Sequence, residues 1–313
     1  MRNAVIESIE CLAENDPRIM VVTADLGYGV LEQFAKKYPS RFFNVGISEQ
    51  FMASAAAGMA LLGNIVVTYS IGNFATLRGI EQIRNDICYH NANVKIIAVG
   101  GGFAYGQLGM SHHATEDIAM MRALPNMRVF VPADPEEAVT VANYALTVDG
   151  PCYIRLARRG EPILYTKGLC LDIEKIHAVS EGTDVALLAC GPLLNEAIRA
   201  ATQLEENHIS TGVFSIPCVK PLDTEAIANI AHKYKVIVSV EEHQIIGGLG
   251  GAIAEVLSSI KGSRAYLHRL GLQDEYTSIV GGYEHLCDHY GLCSSAIAKT
   301  VSSLLSTCGN SMQ

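Results

Sequence analysis

The chain has 313 residues, of which 49% are hydrophobic and 18% charged, a composition typical of a globular protein with two cores of about 150 residues each. The formal net charge is −9 and Lys and Arg do not cluster, which excludes a basic surface, so we expect no binding to nucleic acid. The nine cysteines form no C-x-x-C pair, and neither a signal peptide nor a stretch of about 20 apolar residues is present, so we expect a cytoplasmic protein without membrane association.

Short β-branched runs alternate with amphipathic segments in the first half of the chain. The runs cover residues 19–23, 64–68, 94–99 and 128–131, and the amphipathic segments include residues 76–90 and 135–146. Because the runs are apolar without alternation, they are typical of parallel strands that helices cover on both faces. We therefore predict a parallel-sheet α/β domain over residues 1–160.

The periodicity is lost after residue 158, and we interpret residues 161–180 as a linker because they carry Pro162 and Gly168. A second series of apolar runs follows. It covers residues 184–190, 211–216 and 236–240. The series predicts a second, smaller α/β domain over residues 181–313.

One acidic residue stands where an extended segment becomes a helix of small residues. Residues 43–49 read Phe-Asn-Val-Gly-Ile-Ser-Glu and lead into Gln-Phe-Met-Ala-Ser-Ala-Ala-Ala-Gly-Met-Ala at residues 50–60. We predict that Glu49 is buried, and burial among apolar groups favours the protonated form of a carboxylic acid. Such an acid suits the protonation of a heterocycle's ring nitrogen. Alternatively, Glu49 is a first-turn residue that the helix dipole favours, with Ser48 as the N-cap.

Ligands of open parallel sheets bind beyond the carboxyl ends of the strands, and four segments follow strands there. They are a Gly-rich turn at residues 24–29, residues 69–74 with Phe74, a long Gly-rich loop at residues 100–117 with His112 and His113, and residues 153–159 with Arg158. Phe74 is either a core residue or an aromatic platform on which a ligand ring stacks. The two histidines either begin a helix or form a metal-binding pair. Zinc requires three or four convergent ligands, so two adjacent histidines are weak evidence for a metal site.

Neither of two common phosphate-binding patterns is complete in this chain. Residues 248–251 read Gly-Leu-Gly-Gly after an apolar run, but the third glycine of a dinucleotide-binding turn is missing. No G-x-x-x-x-G-K-[ST] loop occurs, so we expect no phosphoryl transfer by a P-loop.

Several motifs in register resemble those of transketolase-like enzymes. They are Asp25-Leu26, Asn-Val-Gly-Ile-Ser-Glu-Gln at residues 44–50, Arg-Gly-Ile-Glu-Gln-Ile-Arg at residues 78–84, Ser-His-His-Ala-Thr-Glu-Asp at residues 111–117, Leu-Pro-Asn at residues 124–126 and Pro-Ala-Asp at residues 132–134. The resemblance implies a pyrimidine-binding domain for thiamine diphosphate, followed by a transketolase C-terminal domain. The family's Gly-Asp-Gly signature for the metal and diphosphate is absent, which implies the small subunit of a split transketolase.

The resemblance also implies a shared cofactor site. A larger partner subunit would carry the pyrophosphate-binding domain and hold a divalent metal, magnesium, in an α2β2 heterotetramer. In this chain, the implied cofactor contacts are Glu49, Ile47, Gln50, Phe74 and Arg78. Glu49 would bond N1′ of the aminopyrimidine and favour the tautomer that activates the cofactor. A gapless register from Glu81 instead places Ala75 at the family's aromatic position.

For the sugar substrates, the resemblance implies contacts by Arg2, His112, His113 and Arg158. His112 would shuttle a proton or stabilise a developing alkoxide, and is the second catalytic residue beside Glu49. The two arginines would bind a sugar phosphate, which a guanidinium fork suits.

Two positions depart from the sugar-phosphate transketolases. Leu108 replaces an Asp, which removes an acceptor for a sugar hydroxyl, and Gly29 replaces a Ser, which removes a phosphate donor. We therefore expect a branched or otherwise modified sugar as readily as a pentose phosphate.

The sequence thus predicts a transketolase subunit that moves a two-carbon ketol unit from a ketose to an aldose. One alternative is the β subunit of a 2-oxoacid dehydrogenase E1 component, which has the same two domains. The Ser-His-His loop and residues 243–251 favour transketolase. The other alternative is a catalytically inactive α/β partner protein, against which Glu49 and His112 argue.

Overall fold

Two mostly parallel β-sheets, one of seven strands and one of five, organise the part of the chain that the structure describes. The computed structural model describes residues 1–158, 160–166, 168, 171–262 and 264–310, with the backbone alone at residues 308–310. Residues 167, 169 and 170 of the expected linker therefore lie outside the described residues.

The first sheet contains the apolar runs of the N-terminal half. Six of its seven strands are β1 (Ile19–Thr23), β2 (Phe42–Asn44), β3 (Ile65–Ile71), β4 (Val94–Val99), β5 (Arg128–Phe130) and β6 (Cys152–Leu156). They are all parallel, in the order β2-β1-β3-β4-β6-β5. β4 and β6 are buried throughout, as strands covered on both faces must be.

The second sheet contains most strands of the C-terminal half. The strands of that half are β7 (His177–Ser180), β8 (Val185–Ala189), β9 (Thr211–Ser215), β10 (Cys218–Lys220), β11 (Val236–Gln244) and β12 (Tyr266–Leu272). The order is β12-β11-β8-β9-β7, and β10 instead pairs antiparallel with β5 of the first sheet. β7 is an antiparallel edge strand within the expected linker, and its exposure explains why it carries no apolar run.

Helices cover both sheets. They are α1 (Arg2–Asn15), α2 (Glu32–Lys37), α3 (Glu49–Leu61), α4 (Gly72–Thr76), α5 (Ile80–Gln82), α6 (Asp117–Ala123), α7 (Pro135–Thr147), α8 (Leu193–Glu205), α9 (Thr224–Lys233), α10 (Leu249–Ser259), α11 (Tyr283–His289) and α12 (Ser294–Asn310). The amphipathic segment at residues 76–90 is not one helix, because Gly79 (φ −113°, ψ 16°) interrupts it between a 3-10 turn at Leu77–Gly79 and α5. Among the helices of the described residues, none is long and apolar enough to cross a membrane.

A buried arginine, paired with an aspartate of its own half, joins the two halves of the chain. Nε of Arg155, on β6, donates to Oδ2 of Asp117 at 2.8 Å, and neither side chain is more than 3% exposed. Nη2 of Arg155 donates to the carbonyl oxygens of Ala114 and of Glu242, which is on β11 of the second sheet. Asp117 also accepts a hydrogen bond from the Tyr153 hydroxyl at 2.5 Å. The loop that precedes α6 is therefore fixed between the two sheets.

Candidate active site

Glu49 is the first residue of α3 and is buried, as the sequence predicts. Ser48 occupies the N-cap position but makes no side-chain capping hydrogen bond. Oε2 of Glu49 accepts a hydrogen bond from Nη1 of Arg78 at 3.1 Å, whereas Oε1 is buried with no partner among the described residues. Because an unpaired buried acceptor costs about 1–3 kcal/mol, Oε1 is a point where a ligand can donate a hydrogen bond.

Starting from Glu49, three further side chains contact one another in succession. The guanidinium carbon of Arg78 lies 3.9 Å from the centre of the Phe74 ring. The Phe74 ring in turn lies 5.1 Å from the His112 ring, with the two planes at 66°. We call Glu49, Arg78, Phe74 and His112 the acid–histidine row. Phe74 rather than Ala75 takes part in it, since Ala75 is buried in the core.

The row extends to a tyrosine that sequence reasoning missed. The Tyr105 ring lies 6.1 Å from the His112 ring, and the guanidinium carbon of Arg158 lies 4.9 Å from the centre of the Tyr105 ring. Tyr105 lies in the same long Gly-rich loop as His112. Its position in that loop was the signal from which its place near His112 could have been predicted.

Arg2 lies at the start of α1, and its Nε is buried without a partner among the described residues. It interacts with Tyr69 at the end of β3. Burial raises the pKa of Tyr69 to about 12, and the Arg2 cation opposes that rise. The structure thus provides a guanidinium group with an unused donor at the carboxyl end of the first sheet.

His112 is half-buried, and besides its ring contacts with Phe74 and Tyr105 its Nδ1 makes a 3.0 Å hydrogen bond with Oγ of Ser111. Burial, followed by the proximity of His113 and Arg78, lowers the pKa of the His112 imidazole from its ordinary value of about 6.5. At neutral pH the imidazole is therefore uncharged, so it can accept a proton.

His113 faces a different environment. It is 2% exposed, its Nδ1 lies 2.6 Å from Oγ1 of Thr277, and its Nε2 lies 3.0 Å from the carbonyl oxygen of Gly106. A carbonyl can only accept, so Nε2 carries the proton and Nδ1 accepts from the Thr277 hydroxyl. Both ring nitrogens are thus occupied by groups of this chain, and the contact of His113 with substrate stays a prediction. Within the described part of the chain, no group of three His, Cys, Asp or Glu residues could hold a metal ion.

Ile47 and Gln50 flank Glu49 but stay outside the row. Ile47 is 77% exposed, and Gln50 is exposed at the start of α3. The structure thus brings Glu49, Arg78, Phe74, His112 and Arg158 together in one series of contacts, and leaves these two residues on the surface.

Comparison with protein families identifies the fold. The profile described as Transketolase, pyrimidine binding domain matches residues 1–161, and the profile described as Transketolase, C-terminal domain matches residues 174–297. The chain belongs to the transketolase family. Its α/β fold, a parallel-sheet pyrimidine-binding domain followed by a transketolase C-terminal domain, is confirmed.

This transketolase-family chain is similar to curated proteins over nearly its whole length. It is 34% identical over 305 residues to an apulose-4-phosphate transketolase subunit of Actinobacillus succinogenes, covering 97% of this chain and 98% of that protein. It is 39% identical over 304 residues to the putative transketolase C-terminal section of Methanocaldococcus jannaschii, covering 96% and 95%. A solved structure described as a split gene transketolase, inactive beta4 tetramer, is 36% identical with a TM-score of 0.88, covering 97% of both chains.

Both departures from the sugar-phosphate transketolases lie at exposed positions. Gly29 has a φ of +73°, a left-handed conformation that favours glycine, so the turn itself disfavours a serine there. Leu108 ends a 3-10 turn in the His112 loop and is 56% exposed.

The glycine run at residues 248–251 of this transketolase-family chain has an internal partner. The Glu241 carboxylate accepts hydrogen bonds from the backbone N–H groups of Leu249 at 2.6 Å and Gly250 at 2.8 Å. A side chain thus occupies the N-terminus of α10, where a dinucleotide-binding turn would hold phosphate.

Proposed function

We propose that this chain is the small subunit of a split transketolase, which transfers a two-carbon ketol unit from a ketose to an aldose. The acid–histidine row carries the proposal, because a buried carboxyl oxygen without a partner stands at one end and an uncharged imidazole at the other. Ketol transfer needs both groups, one to hold a cofactor ring and one to exchange a proton with the sugar.

The described residues fit the aminopyrimidine half of thiamine diphosphate. Oε1 of Glu49 is available to a ring nitrogen, and the aromatic ring of Phe74 lies in the same row. Glu49, Phe74 and Arg78 would hold the group, with Ile47 and Gln50 beside them on the surface. When bound, thiamine diphosphate supplies the electron sink that carbon–carbon cleavage requires.

The other residues of the site act on the sugar. His112 would accept a proton from a substrate hydroxyl or donate a hydrogen bond to its oxygen. Arg2 and Arg158 would bind an anionic group of the substrate, and the contact with Tyr105 orients Arg158. The relative named for apulose 4-phosphate supports a branched ketose phosphate as the substrate class, and Leu108, which offers no acceptor for a sugar hydroxyl, supports a sugar other than the common pentose phosphates.

We further propose that a larger subunit supplies the diphosphate and magnesium site and completes an α2β2 assembly. Relatives named as a transketolase subunit and as a transketolase C-terminal section support this division of the enzyme. Within this chain the proposed units are residues 1–160, a linker at 161–180 and residues 181–313. Free cysteines throughout the described residues support a cytoplasmic location.

Co-purification of the tagged chain from its native cell, followed by assays on the complex, tests the proposal. We expect thiamine-diphosphate-dependent ketol transfer with at least one member of a panel of pentose, hexose and branched ketose phosphates. Decarboxylation of a 2-oxoacid with reduction of a lipoyl group would instead indicate an E1 component. Tight calorimetric binding of the cofactor to the isolated chain would contradict the split arrangement.

A further inference from the structure

We infer that the C-terminal half of the chain positions His112, and that Thr277 is the positioning residue through which it does so. This inference rests on the proposed function, because His112 is the group whose placement matters. Thr277 lies between β12 and α11 and touches neither Glu49 nor Phe74 through any contact recorded among the described residues.

The first contact is the hydrogen bond between Thr277 and the neighbour of His112. Thr277 is 8% exposed, and its hydroxyl donates to Nδ1 of His113 at 2.6 Å. Nε2 of His113 then donates to the Gly106 carbonyl, which also accepts a 3.2 Å hydrogen bond from the backbone N–H of Gly281. Two groups of the C-terminal half thus fix the same turn of the His112 loop.

The beginning of the loop is held in the same way. The Glu242 carboxylate accepts a hydrogen bond from the backbone N–H of Phe103, and the Phe103 ring stacks on Tyr290 with centroids 5.2 Å apart. A Cβ atom at Gly102, where φ is +58°, would lie 2.2 Å from Cδ of Glu242. The loop therefore approaches the second sheet so closely that only glycine fits.

The N-terminal half holds the opposite side of the loop. Nδ2 of Asn73, next to Phe74, donates to the carbonyl oxygens of Ser111 at 3.2 Å and His113 at 2.9 Å. These two carbonyls flank His112. The backbone of His112 is therefore fixed between Asn73 and the buried His113 ring, and it stays in place only if that ring keeps its orientation.

Loss of the Thr277 hydroxyl would leave Nδ1 of His113 buried without a donor, and the ring would turn to find another. A shift of His113 moves the adjacent His112 relative to Phe74. Since a misplacement of about 1 Å can cost about 100-fold in rate, we expect a loss of turnover while the cofactor site stays intact.

The test compares Thr277→Val, which removes the hydroxyl at nearly constant shape, with Thr277→Ser, which keeps it. Thr211→Val is the matched control, because Thr211 is also buried in the C-terminal half but bonds to Ile209. In the complex with the larger subunit, we expect Thr277→Val to lower kcat about 10- to 100-fold, with the cofactor Kd within about twofold of wild type. Thr277→Ser and Thr211→Val should retain kcat within about twofold of wild type.

Amide hydrogen exchange on the full chain gives a readout that does not depend on activity. Exchange over residues 103–116 should quicken in Thr277→Val and stay unchanged in Thr277→Ser. Unchanged kcat and exchange in Thr277→Val, or equal losses in Thr211→Val, would overturn the inference. If Thr277→Val does not fold, Thr277→Ala replaces it, with the same expected losses of kcat and of loop protection. Unchanged kcat and exchange in Thr277→Ala would overturn the inference. An inactive wild-type complex with normal loop protection would refute the proposed function alone.

Discussion

Nη1 of Arg78 donates to Oε2 of Glu49 at 3.1 Å, and this single hydrogen bond divides the Glu49 carboxylate into two unequal oxygens. Oε2 is held by a cation that is half exposed, whereas Oε1 is buried and has no partner among the described residues. The acid is thus fixed in position by one atom and available to a ligand through the other. The same arginine packs on Phe74, so the acid and the aromatic ring are positioned together.

Replacement of Glu49 tests the role of this acid. We expect Glu49→Gln to fold normally and to lower ketol transfer in the complex by about 100-fold or more, because the amide cannot exchange a proton. Turnover of the complex and the thermal unfolding midpoint provide the measurement. Glu7→Gln, at an exposed position of α1, is the control. Unchanged turnover would remove Glu49 from the mechanism.

The pH dependence of turnover tests His112. Because burial lowers its pKa below the ordinary value of about 6.5, the imidazole stays uncharged at neutral pH, and we expect kcat to fall only on acidification below about pH 6.5. His112→Asn should lower kcat and abolish this acid limb while cofactor affinity changes little. His90→Asn, at an exposed position, should keep the wild-type profile. An acid limb that persists in His112→Asn belongs to another group.

The ion pair between Arg155 and Asp117 should be important for stability. Asp117→Asn leaves the buried guanidinium without its counter-charge, so we expect the free energy of unfolding to fall by about 3–5 kcal/mol. Urea denaturation measures the change. The matched control is Asp16→Asn, since Asp16 pairs with Arg18 at the surface and should cost no more than about 1 kcal/mol. Equal effects in the two variants would show that burial of the pair is unimportant.

Two buried carboxyl groups on β11 predict a pH-dependent stability. Burial raises the pKa of Glu241 and of Glu242 to about 7, above the ordinary value of about 4.5. The folded state therefore binds more protons than the unfolded state between about pH 4.5 and 7, so this contribution to stability is complete below that range and is lost as the pH rises through it.

The Glu242→Gln variant isolates this effect, because one amide oxygen can still accept from Phe103. We expect its free energy of unfolding, relative to wild type, to increase from pH 5 to pH 8 in urea denaturation. Glu241→Gln is the contrast, because both Glu241 oxygens accept backbone N–H groups and the amide has only one acceptor, so we expect a loss of about 1–3 kcal/mol. A pH-independent difference for Glu242→Gln would contradict the prediction.

Much of the fold could be predicted because the signal is local. The apolar runs at residues 19–23 and 94–99 coincide with β1 and β4. Five strands of the described residues were not among the predicted runs. β2, β7 and β10 are too short to form a long apolar run, and β6 and β12 contain charged or polar side chains such as Arg155, His268 and Arg269. The amphipathic segment at residues 76–90 is helical as far as Cys88, but it passes from a 3-10 turn through α5 into a π-helical turn, and periodicity alone does not indicate these changes.

The sequence by itself determined which side chains reach the carboxyl edge of the first sheet, because the residues near a strand end or a helix start are enough to predict where it lies. It thus located Glu49, Phe74, His112 and Arg158. Only the tertiary structure decided that Arg78 pairs with Glu49, that His112 and His113 have different surroundings, and that Tyr105 contacts His112 while Thr277 contacts His113. Those outcomes depend on contacts between distant residues, as in the 164 positions that separate His113 from Thr277, and no local pattern encodes which partners a folded chain brings together.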